Sequence, residues 1–191
     1  GLKHLSVGLY VSPSGDVFKN DFFSADFVDP RHFGTVTFTR DRAVLERKLS
    51  SLGPDMLTDP PSTDQFRRLV VRRPGETLAE FMMDQHNISG VGNYLKTEVL
   101  HAVGLSPHRT CGSLTALEAD RLRNAIVSVI TLSYAAGGTS VHTYVNVDGS
   151  RGAFADQLVC YGRAVSVTGN PIIRERTRDG RMTWWCPKEQ H

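Results

Sequence analysis

An α+β fold is predicted by three changes of pattern along the 191 residues. Residues 5–40 alternate and are rich in β-branched and aromatic side chains. Residues from about 76 to 138 follow a helical period, and residues 139–191 return to short extended runs.

In the first part, Leu5, Val7 and Leu9 alternate with Ser6, Gly8 and Tyr10. Ser12–Pro13–Ser14–Gly15–Asp16 supplies the turn chemistry between two such runs. Phe22–Phe23, Phe27–Val28 and Thr35–Val36–Thr37–Phe38 continue the β bias, with a punctuated stretch from Asp29 to Gly34 between them. Residues 41–50 predict a short helix around Ala43, Val44 and Leu45, and residues 51–63, with Gly53–Pro54 and Asp59–Pro60–Pro61, read as a linker.

The helical part follows. Leu78, Phe81, Met82 and Gln85 keep helical spacing, as do Leu95, Val99 and Val103. Gly104 and Pro107 stop the latter helix. Thr115 and Glu118 form a capping box ahead of a longer helix carrying Leu122, Ile126 and Val129, which Gly137–Gly138 ends. In the last part, runs at 141–147, 172–176 and 182–185 are extended, and the Asp179–Gly180 dipeptide is a hairpin signal.

Composition narrows the class. Hydrophobic content of 40% and charged content of 22% are those of a globular chain, and wholesale disorder is excluded. Three widely spaced cysteines, Cys111, Cys160 and Cys186, contain no CxxC pair, so neither a zinc ribbon nor a disulfide framework is written here. They predict a reducing, intracellular compartment: the nucleus in a eukaryote, otherwise the cytoplasm or nucleoid. No run reaches the ~18–20 apolar residues that span a bilayer, so no membrane partner is expected.

The net charge of +2 points nowhere, but its distribution does. Residues 160–191 hold six Lys/Arg against three Asp/Glu, and five of the six are Arg163, Arg174, Arg176, Arg178 and Arg181. Arginine suits bidentate phosphate contacts, although a solvated hairpin would also carry it.

The turn Gly90–Val91–Gly92–Asn93 opens the helix that holds Leu95 and Val99. Two glycines let the backbone turn sharply and pass close to a bulky neighbour. A helix start has spare N–H groups and partial positive charge, which makes it an anion site. Asn93 is then either a phosphate ligand or simply a helix cap.

Taken in order, these residues resemble the formamidopyrimidine-DNA glycosylase / endonuclease VIII family of base-excision repair enzymes. The similarity rests on Lys3–His4, on Asp29–Pro30–Arg31–His32–Phe33–Gly34, and on Asp84–Gln85 followed by Gly90–Tyr94. It continues through Glu98–Val99–Leu100, Gly104–Leu105–Ser106–Pro107, Gly137–Gly138, Tyr161–Gly162–Arg163 and Gly180–Arg181–Met182–Thr183. The resemblance implies part of a β-sandwich domain in residues 1–66 and a helix–two-turn–helix domain in 67–138. Residues 139–191 would form a β-hairpin finger.

Carried over by position, Asn93 with Gly92 resembles the element holding the phosphate beside the lesion. Arg181 resembles the finger arginine that grips phosphate and is assigned a catalytic, proton-donor role in δ-elimination. Arg31 and Phe33 resemble the residues that fill the gap left by a flipped nucleotide, which would partly offset the few kcal/mol of lost stacking. His4 and Arg73 resemble further DNA contacts. Each has a plainer alternative: Phe33 as core, Arg31 and His4 as solvated surface groups, and Trp184 and Trp185 as finger packing.

Two departures from the family pattern shape the expectation. Val165, Thr168, Cys186 and Glu189 stand where a zinc finger would have four cysteines, so no metal or other cofactor is expected. The hairpin would be held by Trp184, Trp185, Ile172 and backbone pairing. Gly1–Leu2 is not the family's N-terminal proline, so the chain is read as lacking the first strands and the amine nucleophile. Borohydride is accordingly expected to trap no Schiff base on abasic DNA.

The expected function is a monomeric DNA glycosylase with β,δ-lyase activity, of the zincless-finger type, acting on oxidised bases in double-stranded DNA. Its substrates would be damaged bases or abasic sites. The rival is a non-catalytic DNA-binding module of the same fold. An RNA-associated helix–two-turn–helix protein is a third reading, opposed by the Asp29–Gly34 and Gly180–Thr183 segments.

Overall fold

The structure, a computed structural model, describes residues 5–11, 23–29, 37–138 and 154–191. His4, Arg31 and Phe33 and the extended run expected at 141–147 lie outside these residues. The chain divides into two compact units, Gly1–Leu45 and Glu46–His191.

In the first unit, β1 (Leu5–Val11) pairs antiparallel with β2 (Phe23–Asp29), in a register running from Leu5 opposite Asp29 to Val11 opposite Phe23. Residues 37–39, expected as strand, have no regular secondary structure. Helix α1 (Arg42–Ser50) forms where the sequence predicts it and crosses the boundary between the units.

The second unit is helical, with a small hairpin at its end. Helix α2 (Thr63–Val71) packs on α5 (Ala116–Ala135), and α5 on α4 (Asn93–Val103), while α3 (Leu78–Met83) leads into the glycine turn. Phe66, Phe81, Leu78, Met82, Ile88, Leu122 and Ile126 are all buried, and the rings of Phe66 and Phe81 meet edge to face at 5.9 Å. Each such side chain contributes about 1.5–3 kcal/mol by leaving water.

The 51–63 segment is not a free linker. Met56 is 0% exposed and belongs to the helical core, and Met56 N donates to Ser89 O at 3.2 Å. Proline, glycine and aspartate rule out regular structure there without ruling out packing. The boundary expected at 66/67 falls inside α2.

Strands β3 (Ile173–Arg176) and β4 (Met182–Trp185) pair antiparallel around a loop in which Gly180 has φ +77°. Left-handed backbone there explains the Asp-Gly signal. Behind the hairpin is a small core of Cys160, Ile172 and Cys186, flanked by Trp184. Trp184 lies against Tyr161 at 4.4 Å, and the Arg174 guanidinium sits 5.0 Å from the Trp184 ring centre. Trp185 Nε1 donates to Glu175 Oε1 at 2.5 Å. Trp184 therefore packs within the finger, while the Trp185 ring also meets His108 of the helical part edge to face at 5.2 Å.

Helix α4 is the spine to which this finger attaches. The Glu98 carboxylate accepts from the backbone N–H groups of Val159, Cys160 and Tyr161 at 2.9, 3.0 and 2.6 Å. At the far end of α4, His191 N donates to Gly104 O and Gln190 Nε2 donates to Leu105 O. No helix among the described residues is long and apolar enough to cross a membrane.

Candidate nucleic-acid interface

The glycine turn is built before anything binds to it. Gln85 spans it with both ends of its amide: Oε1 accepts from Gly90 N at 3.1 Å, and Nε2 donates to Val91 O at 3.0 Å. Gly90 has φ +88°, so glycine is favoured there by conformation, and a Cβ would lie 3.3 Å from the tip of Ile130, a tight contact. Below the turn, buried Asn87 donates to Glu76 Oε2 at 2.8 Å and accepts from Arg73 Nε at 3.1 Å. Arg73, a predicted DNA contact, thus braces this loop and also lies 3.7 Å from Glu76.

What the turn presents is an uncapped helix start. Helices α2, α3 and α5 each begin with a reciprocal capping box, through Ser62/Gln65, Thr77/Glu80 and Thr115/Glu118. Helix α4 begins at Gly92 with no side-chain cap. The first N–H groups of a helix have no partner within it, so those of Asn93, Tyr94 and Leu95 are available together with the positive end of the helix dipole. Asn93 does not cap the helix, because it is the first helical residue rather than the one before it.

Gly92 itself is extended, at φ −114° and ψ −179°, a conformation open to any residue. Nothing lies within 4 Å of where its Cβ would be. Its lack of a side chain is therefore not needed by the fold; it leaves the face over the helix start bare. Gly92→Ala should change stability by under about 1 kcal/mol while weakening binding to abasic duplex DNA. Thermal melting and fluorescence anisotropy on the same sample check both halves of this expectation.

The finger reaches the same turn through its backbone. Asn93 Nδ2 donates to Met182 O at 2.9 Å, which ties the turn to the residue following Arg181. One Nδ2 hydrogen is used in this bond, leaving the second for a ligand. The buried Asn93 Oδ1 has no partner among the described residues.

Of the five finger arginines, four are engaged. Arg163 Nε donates to Leu158 O at 3.0 Å, Arg174 lies on Trp184, Arg176 Nη1 donates to Gly180 O at 3.2 Å, and Arg178 lies 3.4 Å from Glu80. Arg181 is exposed, and its guanidinium has no hydrogen bond or ion pair among the described residues. Of the predicted residues, Gly92 and Asn93 share the turn, and Asn93 is bonded to the residue next to Arg181.

Two functional neighbours are missed by sequence reasoning. Lys96, one turn beyond Asn93, is 0% exposed, and its Nζ lies 2.6 Å from Asp179 Oδ2 and 2.8 Å from Thr183 Oγ1. A lysine between Leu95 and Val99 on an apolar helix was the available signal. Gln85 stands within the motif, but its bridging of the turn needs coordinates to be seen.

Among the described residues no three His, Cys, Asp or Glu side chains converge to hold a metal. In the finger, Glu189 Oε1 accepts from Ser166 Oγ at 2.5 Å, from Asn170 Nδ2 at 2.8 Å and from Thr168 Oγ1. Its Oε2 lies 3.1 Å from His101 Nε2. These bonds hold the carboxyl down at about 2, chiefly through Ser166 and then Thr168 and Asn170.

This fold and turn define a helix–two-turn–helix protein with an appended hairpin finger. Residues 52–145 match the family model described as the formamidopyrimidine-DNA glycosylase H2TH domain. A formamidopyrimidine-DNA glycosylase of Heliobacterium modesticaldum is 37% identical over 172 residues, covering 86% of this chain and 60% of the relative. One from Xanthomonas campestris is 34% identical over 163 residues, covering 84% and 59%.

Among solved structures, the MutM (Fpg) protein of Thermus thermophilus superposes with a TM-score of 0.76 at 31% identity, covering 87% of this chain and 64% of that one. Lactococcus lactis Fpg bound to abasic-site DNA gives a TM-score of 0.76 at 24% identity, covering 89% and 64%, a likeness of fold. The chain belongs to the formamidopyrimidine-DNA glycosylase family. It spans about three-fifths of the length of the relatives it matches.

Proposed function

We propose that the protein is a base-excision repair DNA glycosylase that grips damaged or abasic duplex DNA between the start of α4 and Arg181. The observation that carries this reading is the uncapped start of α4, bare at Gly92 and tied through Asn93 to Met182 O, the residue following the exposed Arg181. A phosphate seated there takes the N–H groups of Asn93, Tyr94 and Leu95, the second hydrogen of Asn93 Nδ2, and the Arg181 guanidinium.

In the associated lyase reaction, the sugar–phosphate bonds break with charge gathering on the leaving phosphate. The Arg181 guanidinium stabilises that phosphate through charge-assisted hydrogen bonds. The relatives named above carry the glycosylase name, and abasic-site DNA is bound by the Lactococcus lactis protein, which supports this substrate class. The test is anisotropy with a duplex containing a tetrahydrofuran abasic analogue. Preference for it over the intact duplex supports the reading, and equal binding of both points to the non-catalytic module.

The finger of this reading works without zinc. Val165 offers no ligand atom and Cys186 is fully buried, while Glu189 is already saturated by hydrogen-bond donors. Metal analysis should therefore find no stoichiometric zinc, and EDTA should leave the melting temperature unchanged. Because the folded carboxyl titrates at about 2, below the ordinary 4.5, its stabilisation is full above the ordinary value. That stabilisation is lost as pH falls through the folded value. Glu189→Gln should therefore melt below the wild type at pH 7, and the difference should shrink on acidification from pH 4.5 towards 2.

A further inference from the structure

Lys96 and Asp179 are 83 residues apart in sequence and form a buried ion pair, with side chains 0% and 3% exposed. Such a pair is an inefficient way to stabilise a fold, since desolvation consumes most of the attraction. What distinguishes it is its location. Lys96 follows Asn93 by one turn on α4, and both reach across to the hairpin: Asn93 to Met182 O, Lys96 to Asp179 and Thr183.

The network closes around the Arg181 backbone. Thr177 Oγ1 donates to Asp179 Oδ1 and lies 2.6 Å from Thr183 Oγ1, which itself receives Lys96 Nζ. Thr177 N donates to Arg181 O at 3.0 Å, and Arg181 N approaches Asp179 Oδ1 at 3.4 Å. The loop that carries Arg181 is thereby fixed to α4 through both its N–H and its C=O.

We propose that Lys96, paired with Asp179, is a positioning residue that sets the Arg181 guanidinium against the α4 start, so that both meet one phosphate. The inference rests on the phosphate reading of Arg181 given above. Burial lowers the Lys96 ammonium from its usual value, and the Asp179 carboxylate opposes this. A buried ammonium needs a fixed partner, and Asp179 is that partner.

The test is a double-mutant cycle on the full chain, read by anisotropy with a tetrahydrofuran-containing duplex across a salt series. The neutral pair Lys96→Met/Asp179→Asn removes both charges and leaves no uncompensated ion. Thr183→Val removes only the hydroxyl that receives Lys96 and serves if the pair variant does not fold. Either should weaken binding, the pair variant by about tenfold or more, as misplacement of a positioned group does. Neither should weaken it further in an Arg181→Ala background.

Wild-type affinity in the folded pair variant, or losses that add to that of Arg181→Ala, would overturn the positioning role while leaving the phosphate reading standing. If the pair variant does not fold, the same outcomes for Thr183→Val overturn it. Unchanged binding by Arg181→Ala alone would overturn both.

Discussion

Arg181→Ala is expected to weaken binding to an abasic duplex by one to two orders of magnitude and to flatten its salt dependence by about one unit of log K per log salt. The side chain is exposed and makes no ion pair or hydrogen bond among the described residues, so its removal leaves the hairpin intact. Only the Arg181 backbone takes part in hairpin hydrogen bonds, through Thr177 and Asp179. Asn93→Ala should also weaken binding, but with a smaller change of slope, because the amide is neutral. It should cost some stability as well, since it severs the bond to Met182 O. Salt-series anisotropy on both variants separates the charge from the tether, and unchanged affinity in both would remove the phosphate site.

Glu98→Ala should have the largest effect on the fold. This carboxylate, in a residue 4% exposed, satisfies three successive backbone N–H groups of the segment leading into the finger. A buried donor left without a partner costs about 1–3 kcal/mol, so the loss should exceed about 3 kcal/mol. Cys160 gives a local readout. It is fully buried, and burial together with the Glu98 charge pushes its thiol up to about 12. Cys160 should be inert to a thiol reagent in the wild type and reactive in Glu98→Ala at temperatures where α4 and α5 remain folded. A variant that melts like the wild type, with Cys160 still inert, would show that other contacts hold the finger.

How much of this was legible in the sequence depends on how far apart the interacting residues lie. The Thr115/Glu118 capping box, the stop at Gly104 and the Asp179–Gly180 turn are local signals, and the structure carries all three. The glycine turn and the helix start after it were legible because their chemistry is backbone chemistry. Its lack of a cap was not, since Asn93 is a good capping residue type one position too late. Met56 was hidden by the proline-rich composition around it, and its burial is decided by Ser89 and the helical core.

Long-range pairs were beyond sequence reasoning. Nothing local couples Glu98 to residues 159–161, Lys96 to Asp179, or His101 to Glu189. All three leave the same helix and end in the finger, so α4 carries the turn at one end and the finger along its length. The family pattern implies that Asn93 and Arg181 act together, and the structure ties Asn93 to Met182, the residue after Arg181. Arg73 shows the opposite case: a basic residue beside the site whose guanidinium braces Asn87.

The central claim is that the bare start of α4 receives a phosphate. Amide chemical shifts of the 15N-labelled protein, titrated with a tetrahydrofuran-containing duplex, test it most directly. Large shifts are expected at the N–H groups of Asn93, Tyr94 and Leu95, with little change at the capped starts of α2 and α5. Unmoved signals at those three residues while the duplex binds would contradict it.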